Sequence, residues 1–89
     1  MLLEEPYCRV CLAEGRQRQA VVVDHIVPLE WSRIDERWNK QGCCSACHDA
    51  KSKRERAEGR PSDAAIAARL EELRRGFEQA PPGGGRVEL

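Results

Sequence analysis

The sequence predicts a single small α+β domain that a bound metal ion stabilises. Three observations support this prediction: an apolar β-branched segment at residues 19–24, two segments with helical patterning after residue 45, and two cysteine pairs. With 89 residues the chain can form one domain. A chain of this size buries only about 60–65% of its unfolded surface, so its hydrophobic core is marginal and an additional crosslink is expected.

The cysteine count favours a metal crosslink over disulfide bonds. The chain contains five cysteines, an odd number that fits a full set of disulfides poorly. Residues 1–5 have no basic segment and no long apolar stretch, so we expect no secretory signal. No apolar run approaches the roughly 20 residues of a membrane helix. We therefore expect a cytoplasmic location, where clustered cysteines bind metal more often than they form disulfides.

Two C-x2-C pairs, separated by 32 residues, predict a structural zinc site. Four thiolates can surround Zn²⁺ tetrahedrally at roughly 2.3 Å. The alternatives are a Cys43-x3-Cys47 pair or a zinc ligand at His48, and we favour Cys44 because its spacing matches the first pair. Cys43 is then expected to be a buried apolar residue in a short strand. The predicted zinc ligands are Cys8, Cys11, Cys44 and Cys47.

The middle of the chain predicts short strands and one less regular segment. Residues 19–24 are typical of a strand that ends near Pro28, which cannot donate to a β-ladder. Apolar residues recur every four to five positions in residues 29–39, which indicates a short helix or a structured loop. Residues 39–42 predict a turn, followed by a brief strand near Cys43.

Two helices are expected in the second half. Ser45 can cap a helix that starts at about Ala46 and ends near Gly59. Residues 61–63 open a second helix, which we expect to cover the zinc module; a dimer seam is the alternative. Residues 1–60 thus form the core, 61–79 a packing helix and 80–89 a flexible Pro- and Gly-rich tail. The stripe of the second helix is Ile66, Leu70, Leu73 and Phe77.

Charge is balanced overall but not along the chain. The net charge is zero and the pI is about 6.7, which argues against a strongly basic nucleic-acid binder. Residues 40–60, however, hold six basic residues against three acidic ones. A helix face with this excess can meet phosphate, although a solvated face is the simpler interpretation. The candidate phosphate contacts are Lys51, Lys53, Arg54 and Arg56.

Several motifs between and after the cysteine pairs occur in a defined order. The chain reads C-x2-C, V-D-H-I-V-P, N-x-Q and C-x2-C-H-x2-K over residues 6–52. This order resembles the zinc-containing HNH endonucleases, especially the small phage-type ones. Two departures are visible: Cys43-Cys44 replaces the Leu-Cys of many relatives, and Leu29-Glu30-Trp31 follows Pro28 where phage-type relatives often have Gly-Asp.

The resemblance implies a ββα-metal fold, two antiparallel strands and a helix around one catalytic divalent ion. It implies that His25 is the general base, that Asp24 and His48 are the metal ligands, and that Asn39 pins the loop and keeps His25 oriented. The implied activity is cleavage or nicking of DNA, which leaves 5′-phosphate and 3′-hydroxyl ends. We expect weak sequence preference, because the sequence shows no separate recognition module. We further expect a monomer in a bacterial or phage-infected cell, with DNA and phage packaging proteins as candidate partners and no membrane.

The chemistry of these residues suits the implied roles. A neutral imidazole can accept a proton at neutral pH. One carboxylate and one imidazole leave most coordination positions open, which suits Mg²⁺ or Mn²⁺ and would also admit Ni²⁺, Co²⁺ or Zn²⁺. Asp24 and His25 are adjacent, so a regular strand would point them to opposite faces unless it ends or bulges there. Two alternatives stay open: a non-catalytic zinc module that binds nucleic acid, and a protein-interaction domain that docks through the second helix.

Overall fold

The computed structural model describes residues 1–79 and has the predicted α+β class, with two strands and four α-helices in this range. The chain contains a ββα unit, which is an antiparallel strand pair followed directly by a 14-residue helix. The tail predicted at residues 80–89 lies outside the described residues. The elements are α1 Arg9–Ala13, β1 Val22–His25, α2 Leu29–Ser32, a 3₁₀ turn Arg37–Asn39, β2 Lys40–Cys43, α3 Ser45–Glu58 and α4 Asp63–Gln79.

The two strands pair in antiparallel register, with Val22 opposite Cys43 and His25 opposite Lys40. β1 begins at Val22, three residues later than the sequence predicted. The reason is that the preceding residues pair with the N-terminal segment instead. Ala20 N–H donates to the Pro6 carbonyl at 2.8 Å, while Gln19 forms an isolated bridge with Tyr7.

β2 occupies the residues that the sequence predicted as a turn. The 3₁₀ turn ends at Asn39, and Lys40–Cys43 is already extended. Gly42 therefore lies inside a strand, and its lack of a side chain has a packing reason. A Cβ atom at this position would be 2.8 Å from the Glu5 carbonyl oxygen and 2.9 Å from Ala20 Cβ.

The Glu5 side chain fastens the N-terminal segment to the strand pair. Its carboxylate accepts hydrogen bonds from Gly42 N–H at 3.2 Å and from Arg37 at 2.7 Å, and it also bonds Arg9. Burial alone would raise the pKa of Glu5, but the bonds from Arg9 and Arg37 outweigh burial and lower it. The carboxylate is therefore ionised and holds the first cysteine pair close to β2.

α3 begins one residue earlier than predicted, and Ser45 is not its cap. Cys44 occupies the N-cap position in an extended conformation, and no side chain caps the helix. The cysteine is needed at this position because its sulfur joins the other three, so Ser45 falls in the first turn. The predicted end is confirmed: Gly59 has φ +79° and its N–H donates to the Glu55 carbonyl at 2.9 Å.

α4 packs on a different part of the domain from the one predicted. Ser62 Oγ accepts from Ala65 N–H at 3.1 Å and starts the helix, and the predicted stripe is its buried or half-buried face. This face contacts α2 and the 3₁₀ turn, with Arg37 above the Phe77 ring at 5.8 Å. The cysteines pack instead against Val10 of α1 and Val22 of β1. No helix within residues 1–79 combines the length and the apolar character needed to cross a membrane.

Candidate metal centres and active site

The four cysteines of the two C-x2-C pairs converge between α1, β2 and the start of α3. All four sulfurs lie within 4.8 Å of one another. The Cys11 sulfur is 3.8 Å from that of Cys44 and 3.6 Å from that of Cys47. Four sulfurs bound tetrahedrally at about 2.3 Å would be roughly 3.8 Å apart. The cluster therefore has the spacing of a tetrahedral thiolate site and can hold a metal ion.

The structure also decides which cysteine is left over. Cys43 is fully buried and lies outside the cluster. Burial raises the pKa of its thiol to about 12, but burial raises the pKa of Cys47, inside the cluster, to about 12 as well, so position and not pKa separates the two. Burial opposes ionisation of Cys8 too, but N–H groups of Cys44 and Cys11 donate to its sulfur and lower its pKa to about 6. The sulfur cluster thus contains Cys44 and not Cys43. His48 does not belong to the sulfur cluster.

A second group of potential ligands forms where β1 meets α3. Asp24 is 6% exposed, and its Oδ1 lies 3.7 Å from Nε2 of His48 in the first turn of α3. Its other oxygen, Oδ2, accepts a hydrogen bond at 3.0 Å from Gln41, its partner across the strands, and lies 3.3 Å from Lys51 Nζ. The strand register and the helix start thus bring together two residues that are 24 positions apart in the sequence.

This second group, which we call the Asp24–His48 corner, is open where the sulfur cluster is closed. The His48 side chain is 38% exposed, and among residues 1–79 only the four cysteines form a group of three or more potential ligands. Oxygen and nitrogen donors 3.7 Å apart can contact one divalent ion at about 2.1 Å each. The corner fits an ion that would take its remaining ligands from water and substrate.

His25 contacts a different set of residues from Asp24. β1 runs in regular register to its last residue, so Asp24 and His25 point to opposite faces of the strand pair. The strand ends at His25, and its pairing with β2 contains no bulge. The His25 ring contacts Asp35 through Nε2 at 2.7 Å, while its backbone carbonyl accepts a hydrogen bond from Lys51 Nζ at 2.9 Å.

Asp35 is a residue of this site that the sequence did not reveal. It lies in the segment between α2 and the 3₁₀ turn, and its carboxylate is also 3.1 Å from Lys40 Nζ. The hydrogen bond from His25, and then that from Lys40, lower the pKa of Asp35. Lys40 lies directly opposite His25 in the strand pair, so the two side chains share one face. The sequence signal was limited to an acidic residue four positions before Asn39.

Asn39 is fully buried and holds the segment that follows β1. Its Oδ1 accepts from Val27 N–H at 2.9 Å, and its Nδ2 donates to the carbonyls of Val27 at 3.0 Å and Ile34 at 2.9 Å. Its own carbonyl accepts from Ile26 N–H at 2.8 Å. One side chain thus satisfies backbone groups at two separate points of the segment between β1 and β2.

The basic residues of α3 divide into two kinds. Lys51 is 12% exposed and engaged with His25, Asp24 and the Glu55 carboxylate, so it connects α3 to β1. The other three candidate phosphate contacts are exposed and point to solvent. They are Lys53, Arg54 and Arg56.

Comparison with known proteins agrees with this geometry. The family model for HNH endonucleases matches residues 8–54, more than half of the chain. A crystal structure of the HNH endonuclease of the deep-sea thermophilic bacteriophage GVE2, with a manganese ion, is similar at a TM-score of 0.58 and 37% sequence identity. The similarity covers 64% of this chain and 65% of that one, slightly less than two thirds of the phage protein. No curated protein is similar enough to count as a match.

The matched region begins at the first cysteine of the cluster and ends inside α3, so it contains both candidate metal centres. The order of motifs, the ββα unit and the family match therefore refer to the same stretch of chain. This chain belongs to the HNH endonuclease family.

Proposed function

We propose that this protein is a metal-dependent endonuclease that hydrolyses phosphodiester bonds of DNA. The observation that carries the proposal is the contact between Asp24 Oδ1 and His48 Nε2, 3.7 Å apart across β1 and α3. A nearly buried carboxylate beside an accessible imidazole is a donor set for a divalent ion that keeps open positions. The family match and the similarity to a phage endonuclease support the same assignment.

The two centres would hold different ions. In our proposal the sulfur cluster holds Zn²⁺ as a structural ion, because four thiolates at tetrahedral spacing suit it and leave no open position. The Asp24–His48 corner would hold Mg²⁺ or Mn²⁺, with Ni²⁺ or Co²⁺ as substitutes. An ion bound there supplies positive charge that stabilises the transferring phosphate.

His25 is the proposed general base. It is the last residue of β1 and the immediate neighbour of Asp24, so their Cα atoms are about 3.8 Å apart. Their side chains leave opposite faces of the strand pair, so the proposal requires a phosphodiester that binds across the end of β1, where no further strand residue separates the two. A neutral imidazole can take the proton of the attacking water at neutral pH. Asn39 and Lys51 support the base indirectly, since Asn39 fixes the following loop and Lys51 holds the His25 carbonyl.

The proposed substrate is DNA, cut or nicked with weak sequence preference. Lys53, Arg54 and Arg56 are exposed on α3, where they can contact phosphates, which carry no sequence information. The products would carry 5′-phosphate and 3′-hydroxyl ends. The proposal includes a monomer in the cytoplasm of a bacterial or phage-infected cell, where reducing conditions keep thiolates free for zinc. Phage packaging proteins are candidate partners.

Plasmid nicking with Mg²⁺ or Mn²⁺ tests the proposal. We expect His25→Ala to lower the nicking rate by roughly 10²–10⁴-fold, the usual contribution of a positioned base. Asp49→Ala, which replaces an exposed residue of α3, is the matched control and should nick like the wild type. Zinc content and circular dichroism establish that both variants are folded.

A folded His25→Ala protein that nicks as fast as the wild type would contradict the proposal. Binding of DNA at low salt without nicking would then favour a non-catalytic nucleic-acid module. Absence of DNA binding in a gel shift would favour the protein-interaction alternative.

A further inference from the structure

The contact between His25 and Asp35 has a geometry that bears directly on proton transfer. His25 Nε2 and Asp35 Oδ1 are 2.7 Å apart, within the range of a charge-assisted hydrogen bond. The imidazole side chain is 24% exposed, whereas the carboxylate is 67% exposed. Water competes for the hydrogen bonds of an exposed carboxylate. A lasting contact with one ring nitrogen therefore requires a scaffold that holds both groups in place.

Two features supply that scaffold. Lys40, the cross-strand neighbour of His25, approaches the same carboxylate oxygen at 3.1 Å. On the other side, Asn39 Nδ2 donates at 2.9 Å to the carbonyl of Ile34, the residue directly before Asp35. The carboxylate is therefore fixed through its own backbone by a buried side chain and through its charge by a lysine on β2.

The contact determines which nitrogen of His25 carries the proton. The Asp35 carboxylate is 67% exposed, and an exposed aspartate, with an ordinary pKa of about 3.9, is ionised at neutral pH. An ionised carboxylate can only accept hydrogen bonds. Nε2 of a neutral His25 must then be the protonated nitrogen, which leaves the lone pair on Nδ1.

We propose that Asp35 is a positioning residue for His25, holding the imidazole in the Nε2–H tautomer with Nδ1 free to accept a proton. This inference rests on the proposed nuclease function and adds a residue to it. In the reaction, an O–H bond of the attacking water breaks and its proton goes to Nδ1. The water oxygen forms a bond to phosphorus while the bond to the leaving oxygen breaks. The leaving oxygen takes a proton from solvent, to which the imidazolium later returns its own.

A plain surface ion pair between Asp35 and Lys40 is the competing interpretation. Exposed ion pairs contribute little to stability. Under that interpretation, loss of the Asp35 charge would change folding slightly and leave turnover unchanged. The two interpretations therefore differ in kcat.

The test compares Asp35→Asn with Glu36→Gln in the zinc-loaded protein. Both variants remove one negative charge from the same exposed loop, but Glu36 does not contact His25. We expect Asp35→Asn to lower kcat by about 10–100-fold, part of the contribution of a general base, with KM within about twofold. Glu36→Gln should keep both constants. A kcat of Asp35→Asn within twofold of wild type, an equal fall in Glu36→Gln, or a change confined to KM would overturn the inference.

A second measurement does not depend on activity. Long-range ¹H–¹⁵N spectra of the histidine rings at about pH 8, above the ordinary range of imidazole titration, report the tautomer. We expect His25 to be in the Nε2–H form in the wild type and in Glu36→Gln, and in a mixture of forms in Asp35→Asn. An unchanged tautomer in Asp35→Asn would overturn the inference. If His25→Ala is inactive but Asp35→Asn is not, this inference fails while the proposed function stands.

Discussion

The sulfur cluster and the Asp24–His48 corner meet at the start of α3, where Cys47 and His48 are adjacent, yet they differ in ligand type, ligand number and exposure. The cluster has four identical ligands, three of them buried, and the Cys11 sulfur lies 3.8 Å from that of Cys44 and 3.6 Å from that of Cys47. The corner has two unlike ligands, one nearly buried and one 38% exposed. The cluster offers a full set of four protein ligands, whereas an ion at the corner would need further ligands from water or substrate.

The difference indicates how a small chain can combine stability with chemistry. The core of buried residues is made largely of cysteines, so we expect folding to depend on the closed site. A closed tetrahedral site has no position for substrate, which suits a structural ion. With folding secured by the cluster, the Asp24–His48 corner can leave ligand positions open without losing the fold.

Removal of one cluster ligand should give the largest effect. We expect Cys44→Ala to lose zinc and to unfold at room temperature, because structural zinc contributes on the order of 10 kcal/mol to small zinc domains. Cys43→Ala is a control from the adjacent position: it removes a buried thiol outside the cluster and should cost about 1 kcal/mol. Zinc stoichiometry and thermal unfolding by circular dichroism measure both.

The opposite outcome would break the comparison between the two sites. If Cys43→Ala loses zinc while Cys44→Ala keeps it, the cluster uses the other cysteine. If Cys44→Ala keeps its zinc and its melting temperature, the cluster does not stabilise the fold in the way proposed.

A ligand of the corner should affect metal binding but not folding. We expect His48→Ala to weaken Mn²⁺ binding at least tenfold, about 1.4 kcal/mol, while zinc content and unfolding stay close to wild type. The half-exposed position of His48 explains the small expected effect on stability. Titration calorimetry with Mn²⁺ measures the affinity, and Asp49→Ala, on the same helix, is the control.

Two results for His48→Ala would contradict this division of roles. Unchanged Mn²⁺ affinity would mean that His48 is not a ligand of the second ion. Loss of zinc from His48→Ala would mean that the two sites are not independent.

Features whose physical cause lies within a few neighbouring residues could be predicted from the sequence. Each C-x2-C pair is fixed within one turn of chain, so the cluster and the choice of Cys44 followed from spacing alone. The end of α3 at Gly59 followed in the same way from the conformational freedom of glycine. For Asp24 and His48, spacing was insufficient, and the resemblance to a known family supplied their convergence.

Features that depend on contacts between distant segments could not be predicted. The Asp35–His25 contact requires the path of a loop that Asn39 fixes through backbone groups. The position of α4 depends on which surface its apolar stripe meets first, and the stripe itself does not encode that. Gly42 was interpreted as a turn residue because the sequence does not show the Glu5 carbonyl that passes next to it.

Two glycines provide a graded test of a second contrast, between the packed strand beside the cluster and the exposed C-terminal helix. A Cβ at Gly42 would be 2.8 Å from a backbone oxygen, whereas a Cβ at Gly76 would meet nothing within 4 Å. We expect Gly42→Ala to destabilise the protein by about 1–3 kcal/mol, as overpacking does. Gly76→Ala should stabilise it by up to about 1 kcal/mol, because alanine is the better helix former. Urea unfolding of the zinc-loaded variants measures both, and equal effects of the same sign would mean that the N-terminal segment does not press on β2 as described.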